Sequence, residues 1–188
     1  MNLLLHCCCA PCSVACVKSL DEENIKPALF WYNPNIHPYT EYKSRRDCLT
    51  QFAGSENLHL TLEDVYDIRF FIAEIFPQAE NRCQKCYALR LEKTASFAVR
   101  EGYSAFTTTL LISPYQDHGA IKDAGEEAAS RHGIEFFYRD FRPLFREGQA
   151  QARSKSMYMQ KYCGCIFSEE ERYLKNLSPK YKDTQSLN

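Results

Sequence analysis

Residues 3–12 read LLLHCCCAPC, a short apolar run followed at once by four thiols. Three leucines are too few for a helix and, bounded by a turn signal, are typical of a buried strand. The cysteines and Pro11 then form the loop by which the chain leaves this strand. Because ligands of parallel sheets bind outside the carboxyl ends of the strands, the stretch predicts both the first strand of a sheet and a functional site at its end.

Further apolar runs predict four more strands, at residues 27–32 (PALFWY), 58–62 (LHLTL), 105–112 (AFTTTLLI) and 134–138 (IEFFY). Segments with helical periodicity lie between them, and Gly102 and Gly133 are typical stop signals for two of these helices. The alternation of strand and helix predicts an α/β fold, a parallel sheet with helices on both faces. We expect residues 1–177 to form a single α/β metal-binding catalytic domain and residues 178–188 to form a disordered tail.

The composition excludes some classes of protein and leaves others open. The chain has 188 residues and a net charge of -1, so a general attraction to nucleic acid is not indicated, although a local basic patch is compatible with this balance. No run approaches the ~20 apolar residues that span a bilayer, and the amino terminus lacks the basic region of a secretory signal. We therefore expect a cytoplasmic protein with no membrane partner, in which ten cysteines are metal ligands or redox groups rather than structural disulfides.

Nine of the cysteines fall into three groups, which are Cys7, Cys8, Cys9, Cys12 and Cys16, then Cys83 and Cys86, then Cys163 and Cys165. Cys83 and Cys86 form a CxxC motif at the start of a predicted helix, so both thiols are expected on one face of its first turn. The positive end of the helix dipole is expected to lower the pKa of both. Cys9 and Cys12 form a second CxxC after the first strand.

Three kinds of site use such thiols. A thiol–disulfide exchange module accounts for one CxxC and leaves the others unexplained. A structural zinc site accepts four thiolates, but a domain of this size does not need one for stability. An iron–sulfur cluster is held by four cysteine thiolates, commonly from CxxC units, and leaves thiols for a second centre. The iron–sulfur interpretation is favoured. No GxGxxG and no phosphate-binding GxxxxGK[ST] motif is present.

Six motifs in order resemble the epoxyqueuosine reductase family of the QueH type. They run from residue 3 to about residue 173 and are Cys8-Cys9-Ala10-Pro11-Cys12, Arg82-Cys83 with Cys86-Tyr87, Thr107-Thr108-Thr109-Leu110, Ser113-Pro114-Tyr115-Gln116, Asp140-Phe141-Arg142 and Tyr162-Cys163-Gly164-Cys165. The resemblance implies a fold similar to the adenine-nucleotide-hydrolase-like (HUP) group. It also implies reduction of epoxyqueuosine at the tRNA wobble position to queuosine, with a [4Fe-4S] cluster, an adjacent single metal ion and an external electron donor.

An ATP-using, cluster-bearing tRNA thiolation enzyme shares that fold group and is the alternative, together with a zinc or thiol redox protein. A thiolation enzyme is expected to carry an SGGxDS-like phosphate loop after the first strand. HCCCAPCS, residues 6–13, replaces it. An iron–sulfur carrier needs exposed, transferable ligands, whereas cysteines drawn from both ends of the chain favour a fixed site.

The resemblance leads us to assign roles residue by residue. Cluster ligands are Cys9, Cys12, Cys83 and Cys86. Ligands of the second metal, taken to be iron, are Cys8, Cys163 and Cys165, with Asp140 or Asp67 completing the set. Catalytic roles go to Cys8, Tyr115 and Tyr162, and substrate contacts to Tyr87, Arg90, Gln116 and Arg142. Cys7, Cys16 and Cys48 fall outside the motifs. The residues expected to form a local basic surface for tRNA are Arg82, Lys85, Arg90, Arg139, Arg142, Arg146 and Arg153.

Overall fold

The computed structural model describes residues 1–174, so the predicted tail and the last three residues of the predicted domain lie outside the described residues. The strands are β1 (Leu3–His6), β2 (Ala28–Trp31), β3 (Leu60–Leu62), β4 (Ala105–Thr108) and β5 (Glu135–Phe136). The helices are α1 (Ala10–Asp21), α2 (Tyr39–Ser55), α3 (Ile68–Ile75), α4 (Arg82–Arg100), α5 (His118–His132), α6 (Phe145–Ser154) and α7 (Ile166–Leu174). Short 3-10 turns occupy Phe76–Asn81, Thr109–Ile112 and Arg142–Leu144.

The five strands form one sheet in the order β3-β2-β1-β4-β5, and every pairing is parallel. Leu5 in the central strand pairs with Leu29 on one side and with Thr107 on the other. Every residue of β1 is buried, which explains its uninterrupted apolar sequence. The direction in which strands are added reverses between β1 and β4, and this reversal opens a crevice at their carboxyl ends.

Helices cover both faces of the sheet, as predicted. On one face the ring of Phe30 stacks on Phe97 of α4 with centroids 4.3 Å apart. The next residue, Trp31, points to the opposite face, where its indole donates a 3.0 Å hydrogen bond to the Tyr42 hydroxyl on α2. Consecutive strand residues are therefore both buried, each against a different helix layer.

The fourth predicted strand is shorter in the structure than in the prediction. The chain leaves the sheet at Thr108, whose hydroxyl oxygen accepts a 3.1 Å hydrogen bond from the Leu110 amide and starts a 3-10 turn. The expectation that residues 109–112 continue the strand is wrong because this local side-chain bond replaces the ladder. The predicted helix stop at Gly133 is confirmed by its left-handed φ of 64°. Within residues 1–174, no helix combines the length and the apolar character needed to cross a bilayer.

Candidate functional site

The first cysteine loop lies at the crevice between β1 and β4. The Cys8 amide donates a 3.1 Å hydrogen bond to Oγ1 of Thr109, and that hydroxyl lies 3.4 Å from the Cys8 sulfur as a donor. Cys8 follows β1 and Thr109 follows β4, so this contact links the carboxyl ends of the two strands. This is the position at which the strand order predicts a ligand site.

Three thiols converge in this loop. The sulfurs of Cys8, Cys9 and Cys12 lie within 4.8 Å of one another, and all three residues are buried. The start of α1 produces this arrangement. Cys9 is the residue before the helix, and Pro11 and Cys12 lie in its first turn. Cys12 therefore comes close to the two cysteines that precede the helix. The Cys8 and Cys9 sulfurs are 3.8 Å apart. We call these residues the three-thiol group.

The three-thiol group stabilises negative charge on one of its members. Hydrogen bonds from Cys12 and Cys9 hold the pKa of Cys8 well below its usual value. Burial raises the pKa of Cys9, and donation to Cys8 and Cys9 raises that of Cys12. Without a metal, the hydrogen bonds within the group thus favour the thiolate form of Cys8 over that of Cys9 or Cys12. Thiolate is the form that metals bind.

The other motif cysteines form a four-thiol group. Cys83 and Cys86 are the second and fifth residues of α4, while Cys163 and Cys165 lie in the loop before α7. Cys86 is buried beside Phe71, and Cys165 packs against the same small core.

The charges of these four thiols influence one another's pKa values. Although Cys163 as a residue is exposed, desolvation of its thiol raises the pKa of Cys163 to about 12, with further contributions from Cys86 and Cys165. Burial also raises the pKa of Cys83, and Cys165 adds to this increase. In Cys86 burial raises the pKa to about 11. The expectation that the helix dipole lowers the pKa of Cys83 and Cys86 is therefore wrong for the metal-free protein, because desolvation of the thiolate outweighs the dipole.

The partition of the cysteines between cluster and second metal stays a prediction, and the observed arrangement of the thiols favours a different division. That partition divided Cys8 from Cys9 and Cys12, yet the structure places all three sulfurs together. It also divided Cys83 and Cys86 from Cys163 and Cys165, which the pKa couplings join. Spacing within each motif indicated which cysteines matter but gave no information on how the chain brings distant motifs together.

A buried arginine fixes the carboxyl-terminal cysteines. Arg45 on α2 is 1% exposed and donates from Nη1 to the Cys163 carbonyl at 2.9 Å and from Nη2 to the Tyr162 carbonyl at 3.0 Å. Its Nε donates to Glu41 one turn earlier at 2.7 Å, so the buried charge is paired. Arg45 lies in none of the six motifs, so the sequence did not indicate its role.

The same loop is held to residues 35–37. The Tyr162 hydroxyl donates to the His37 carbonyl at 2.5 Å, and the His37 amide donates to the Gly164 carbonyl at 2.8 Å. Gly164 has a φ of 135°, and a β-carbon there would lie 3.1 Å from Ile36 and 3.2 Å from Arg45. Only glycine suits this conformation and this space. Tyr162, predicted as catalytic, is thus engaged in holding the cysteine loop.

Two glutamine amides point at the sulfurs. Nε2 of Gln160 is 3.0 Å from the Cys9 sulfur and 3.5 Å from that of Cys12, and Nε2 of Gln116 is 3.8 Å from the Cys163 sulfur. Both amide oxygens are buried without a partner among the described residues. Gln116, predicted to contact substrate, therefore lies at the four-thiol group, while Gln160 is a neighbour of the three-thiol group that the sequence did not reveal.

Arg90 lies inside the protein and not on its surface. It is 1% exposed, and Nη2 donates a 2.7 Å hydrogen bond to Oδ1 of Asn33. Asn33 in turn donates from Nδ2 to the Cys7 carbonyl at 2.9 Å. The expectation that Arg90 contributes to an exposed basic surface is wrong, because the side chain of Arg90 extends along α4 toward the strand ends rather than toward solvent.

The two predicted carboxylate ligands have other partners. Asp140 binds Arg142 through two hydrogen bonds of 2.8 and 2.7 Å, and Arg142 lowers the pKa of Asp140 to about 2. Asp67 caps α3 by accepting a 2.9 Å bond from the Phe70 amide. Neither belongs to the one set of three close ligand atoms found among the described residues.

The predicted tyrosines occupy contrasting environments. Tyr115 is 86% exposed, and its ring lies edge-on to Phe145 with centroids 5.7 Å apart. Tyr87 is buried on α4, where burial raises the pKa of its hydroxyl. Tyr115 is therefore available to a macromolecular ligand, whereas Tyr87 is part of the core.

The three cysteines outside the motifs are buried, and His6 contacts the ends of two neighbouring strands. Cys7 donates to the Leu5 carbonyl, and Cys16 and Cys48 are buried outside both thiol groups. His6 at the end of β1 contacts the Tyr32 carbonyl through Nε2 at 3.2 Å and the Thr108 hydroxyl through Nδ1 at 2.8 Å. A carbonyl only accepts, so Nε2 carries the proton, and burial lowers the pKa of His6 to about 3.

Two solved structures resemble this fold. A predicted subunit of tRNA methyltransferase from Methanocaldococcus jannaschii superposes with a TM-score of 0.51 at 14% identity, covering 80% of this chain and 74% of that one. A deacetylase in complex with teicoplanin gives a TM-score of 0.50 at 11% identity, covering 95% and 93%. At such identities the likeness concerns the fold alone, and the expected α/β fold class, a parallel sheet with helices on both faces, is confirmed.

The sequence relatives are much closer. Proteins described as epoxyqueuosine reductase QueH are 34% identical in Dehalococcoides mccartyi, covering 95% of this chain and 98% of the relative, and 31% identical in Thermotoga maritima, covering 91% and 92%. A third, from Acinetobacter baylyi, is 34% identical over 89% of this chain and 80% of the relative. The family model described as epoxyqueuosine reductase QueH matches residues 3–171, which include both thiol groups. The chain therefore belongs to the epoxyqueuosine reductase QueH family of enzymes.

Proposed function

We propose that this chain reduces epoxyqueuosine in tRNA to queuosine with the help of a [4Fe-4S] cluster and a single metal ion. In this reaction two carbon–oxygen bonds of the epoxide break, one carbon–carbon double bond forms, and the oxygen leaves as water with two protons and two electrons. No cysteine needs to be consumed, so an external donor supplies the electrons. The observation that carries the proposal is the convergence of the Cys8, Cys9 and Cys12 sulfurs at the crevice beside β1. The four other motif thiols support it, since their charges influence one another's pKa values.

The three-thiol group suits a single ion. With metal–sulfur bonds of about 2.3 Å, tetrahedral geometry separates two sulfur ligands by roughly 3.8 Å. The observed separation of the Cys8 and Cys9 sulfurs is 3.8 Å, and Cys12 lies within the same 4.8 Å set. Three protein ligands leave the fourth position to substrate, which is the usual composition of a catalytic rather than a structural metal site.

The four-thiol group suits the cluster, because a [4Fe-4S] cluster takes four cysteine thiolates and its ligands bind different irons. No three of the four ligand atoms of Cys83, Cys86, Cys163 and Cys165 lie within 4.8 Å of one another, so the group does not have the compact arrangement of the three-thiol group. When bound, the cluster would supply single electrons and the metal ion would act as a Lewis acid for the departing oxygen. We therefore assign Cys83, Cys86, Cys163 and Cys165 to the cluster and Cys8, Cys9 and Cys12 to the single ion, taken to be iron.

The chain's own residues orient the reacting groups. Gln160 and Gln116 direct amide N–H groups at sulfurs on either side of the crevice, and their unpartnered buried oxygens are acceptors for hydroxyl groups of the modified base. Tyr115, at 86% exposure, offers a ring on which a base removed from its stack can rest. Tyr162 holds the cysteine loop by donating its hydroxyl proton to the His37 carbonyl.

A local surface, not net charge, holds the tRNA. Lys85, Arg146 and Arg153 are exposed and form no ion pair within residues 1–174, so they are the basic residues best able to contact phosphates. Arg142 is paired with Asp140 and Arg139 with Glu23, which lowers their net attraction for phosphate. Few phosphate contacts predict a modest dependence of affinity on salt.

Turnover of defined substrates tests the proposal. The anaerobically prepared protein, with its metal content measured, is given dithionite and either tRNA bearing epoxyqueuosine or the isolated anticodon stem-loop, across a salt series. Nucleoside mass spectrometry is expected to detect queuosine from both substrates at similar rates. Absence of product from a fully metallated preparation contradicts the proposed reaction, and reduction of full tRNA orders of magnitude faster contradicts the local-surface model.

A further inference from the structure

Arg90 is a buried cation for which the described residues provide no carboxylate. It is 1% exposed, and its Nη2 donates to a neutral acceptor, Oδ1 of Asn33, at 2.7 Å. Its Nε has no partner, and within residues 1–174 no aspartate or glutamate forms an ion pair with it. By contrast, the other fully buried arginine, Arg45, is paired with Glu41. A buried charge without a counter-ion is strongly unfavourable, so an anion must compensate Arg90 in the functional protein.

The thiols are the anions within reach. Cys86 precedes Arg90 by four residues and therefore lies on the same face of α4. On the other side, Asn33 connects the Arg90 guanidinium to the carbonyl of Cys7, the residue before Cys8. One guanidinium thus lies between the four-thiol group and the three-thiol group. Burial raises the pKa of Cys86 and of Cys163, and the charge of Arg90 opposes this effect at both.

We infer that Arg90 is the positioning residue that compensates the negative charge of both metal–thiolate groups and favours their reduced states. The inference rests on the metal binding in the proposed function. Each thiolate ligand adds a negative charge that a nearby guanidinium stabilises, so loss of Arg90 weakens metal binding. Each electron added makes a cluster more negative, so loss of the same positive charge lowers its reduction potential. A phosphate contact is not available to a side chain buried in this way.

Metal binding by charge variants tests this inference without measuring turnover. Metal-free, reduced wild-type protein, Arg90→Gln and Arg90→Lys are titrated anaerobically with Co²⁺, whose thiolate absorption reports binding. Arg100→Gln is the control, since Arg100 lies on the same helix but is exposed. We expect Arg90→Gln to bind Co²⁺ about 10–100-fold more weakly. Arg90→Lys, which keeps the charge, is expected to bind more tightly than Arg90→Gln, and Arg100→Gln is expected to match wild type.

A second readout is the midpoint potential of the iron-loaded proteins, which is expected to be lower in Arg90→Gln than in wild type. Equal Co²⁺ affinity and equal potential in a folded Arg90→Gln overturn the inference, as does Arg90→Lys behaving like Arg90→Gln. A wild-type protein that binds neither Co²⁺ nor iron overturns the proposed function itself. If Arg90→Gln does not fold, an experimental structure of the metal-loaded wild type decides, since the guanidinium must then lie within about 4 Å of sulfurs from both groups.

Discussion

Arg45 donates a hydrogen bond of 2.9 Å to the carbonyl oxygen of Cys163, joining residues 118 positions apart. The bond ties the loop that carries two thiols of the four-thiol group to α2, and Glu41 compensates the buried charge. The geometry of the four-thiol group therefore depends on an ion pair for which no hydrogen bond to a sulfur is found among the described residues.

Replacing Arg45 with Gln is expected to lower the free energy of unfolding by about 3–5 kcal/mol, because Glu41 is left buried without its partner. Urea unfolding of the metal-free protein measures this. Lys43→Gln is the control, since its half-exposed pair with Asp47 contributes about 1 kcal/mol or less. An Arg45→Gln protein as stable as the control variant shows that the buried pair does not hold the loop.

Gly164→Ala is expected to reduce the amount of metal retained after purification. Its φ of 135° disfavours any β-carbon, and that atom would press on Ile36 and Arg45 beside the two cysteines. Gly54→Ala on α2 meets nothing within 4 Å and is expected to retain metal and to be stabilised by up to about 1 kcal/mol. Metal analysis of both variants compares them, and full retention in Gly164→Ala contradicts the account of this loop.

The metal-free protein is expected to lose stability in mild acid because His6 is buried in its neutral form. The folded pKa of His6, about 3, is below the unfolded value of 6.5, so the unfolded chain binds the proton first. The contribution of His6 is complete above the unfolded pKa and is lost progressively as the pH falls toward 3. Between pH 6.5 and pH 5 the loss is about 2 kcal/mol.

Urea unfolding at pH 7 and pH 5 measures this dependence. His6→Gln removes the titrating group and is expected to lower the difference between the two pH values by about 2 kcal/mol. His59→Gln, at an exposed position, is expected to keep the wild-type difference. If His6→Gln keeps the wild-type difference in the free energy of unfolding between pH 7 and pH 5, another group causes the acid sensitivity.

Cys86 and Cys48 form a matched pair, since each is 8% exposed. Cys86→Ser removes a member of the four-thiol group, so we expect loss of cluster iron and sulfide. Cys48→Ser leaves both groups intact, and its iron and sulfide content is expected to equal that of wild type, as is expected for Cys7 and Cys16. Loss of the cluster in Cys48→Ser contradicts the assignment.

The sequence was sufficient for the features that depend on local pattern. The alternation of strand and helix predicted the parallel sheet, and the CxxC at residues 83–86 was correctly expected to begin a helix. Features that depend on contacts between residues far apart in the sequence were not predictable. Asn33 meets Arg90 across 57 positions, and Gln160 meets Cys9 across 151, with no periodicity linking them. For the same reason, the closeness of the Cys8, Cys9 and Cys12 sulfurs to one another could be expected only from their shared loop, and the partition of the thiols between the two centres stays a prediction.

The direction of the thiol pKa shifts also escaped sequence reasoning. A helix start indicates a favourable dipole, but the degree of burial, which decides the sign for Cys86, depends on tertiary packing against Phe71. Similarly, the sequence around Arg90 gave no indication that this side chain would be buried.

The central claim, that the two thiol groups hold a cluster and a separate metal, is tested most directly by counting iron, other metals and acid-labile sulfide in anaerobically purified protein. The account predicts about four iron and four sulfide per chain plus one further metal ion. A preparation that is folded and active but contains only zinc, with no sulfide, contradicts it.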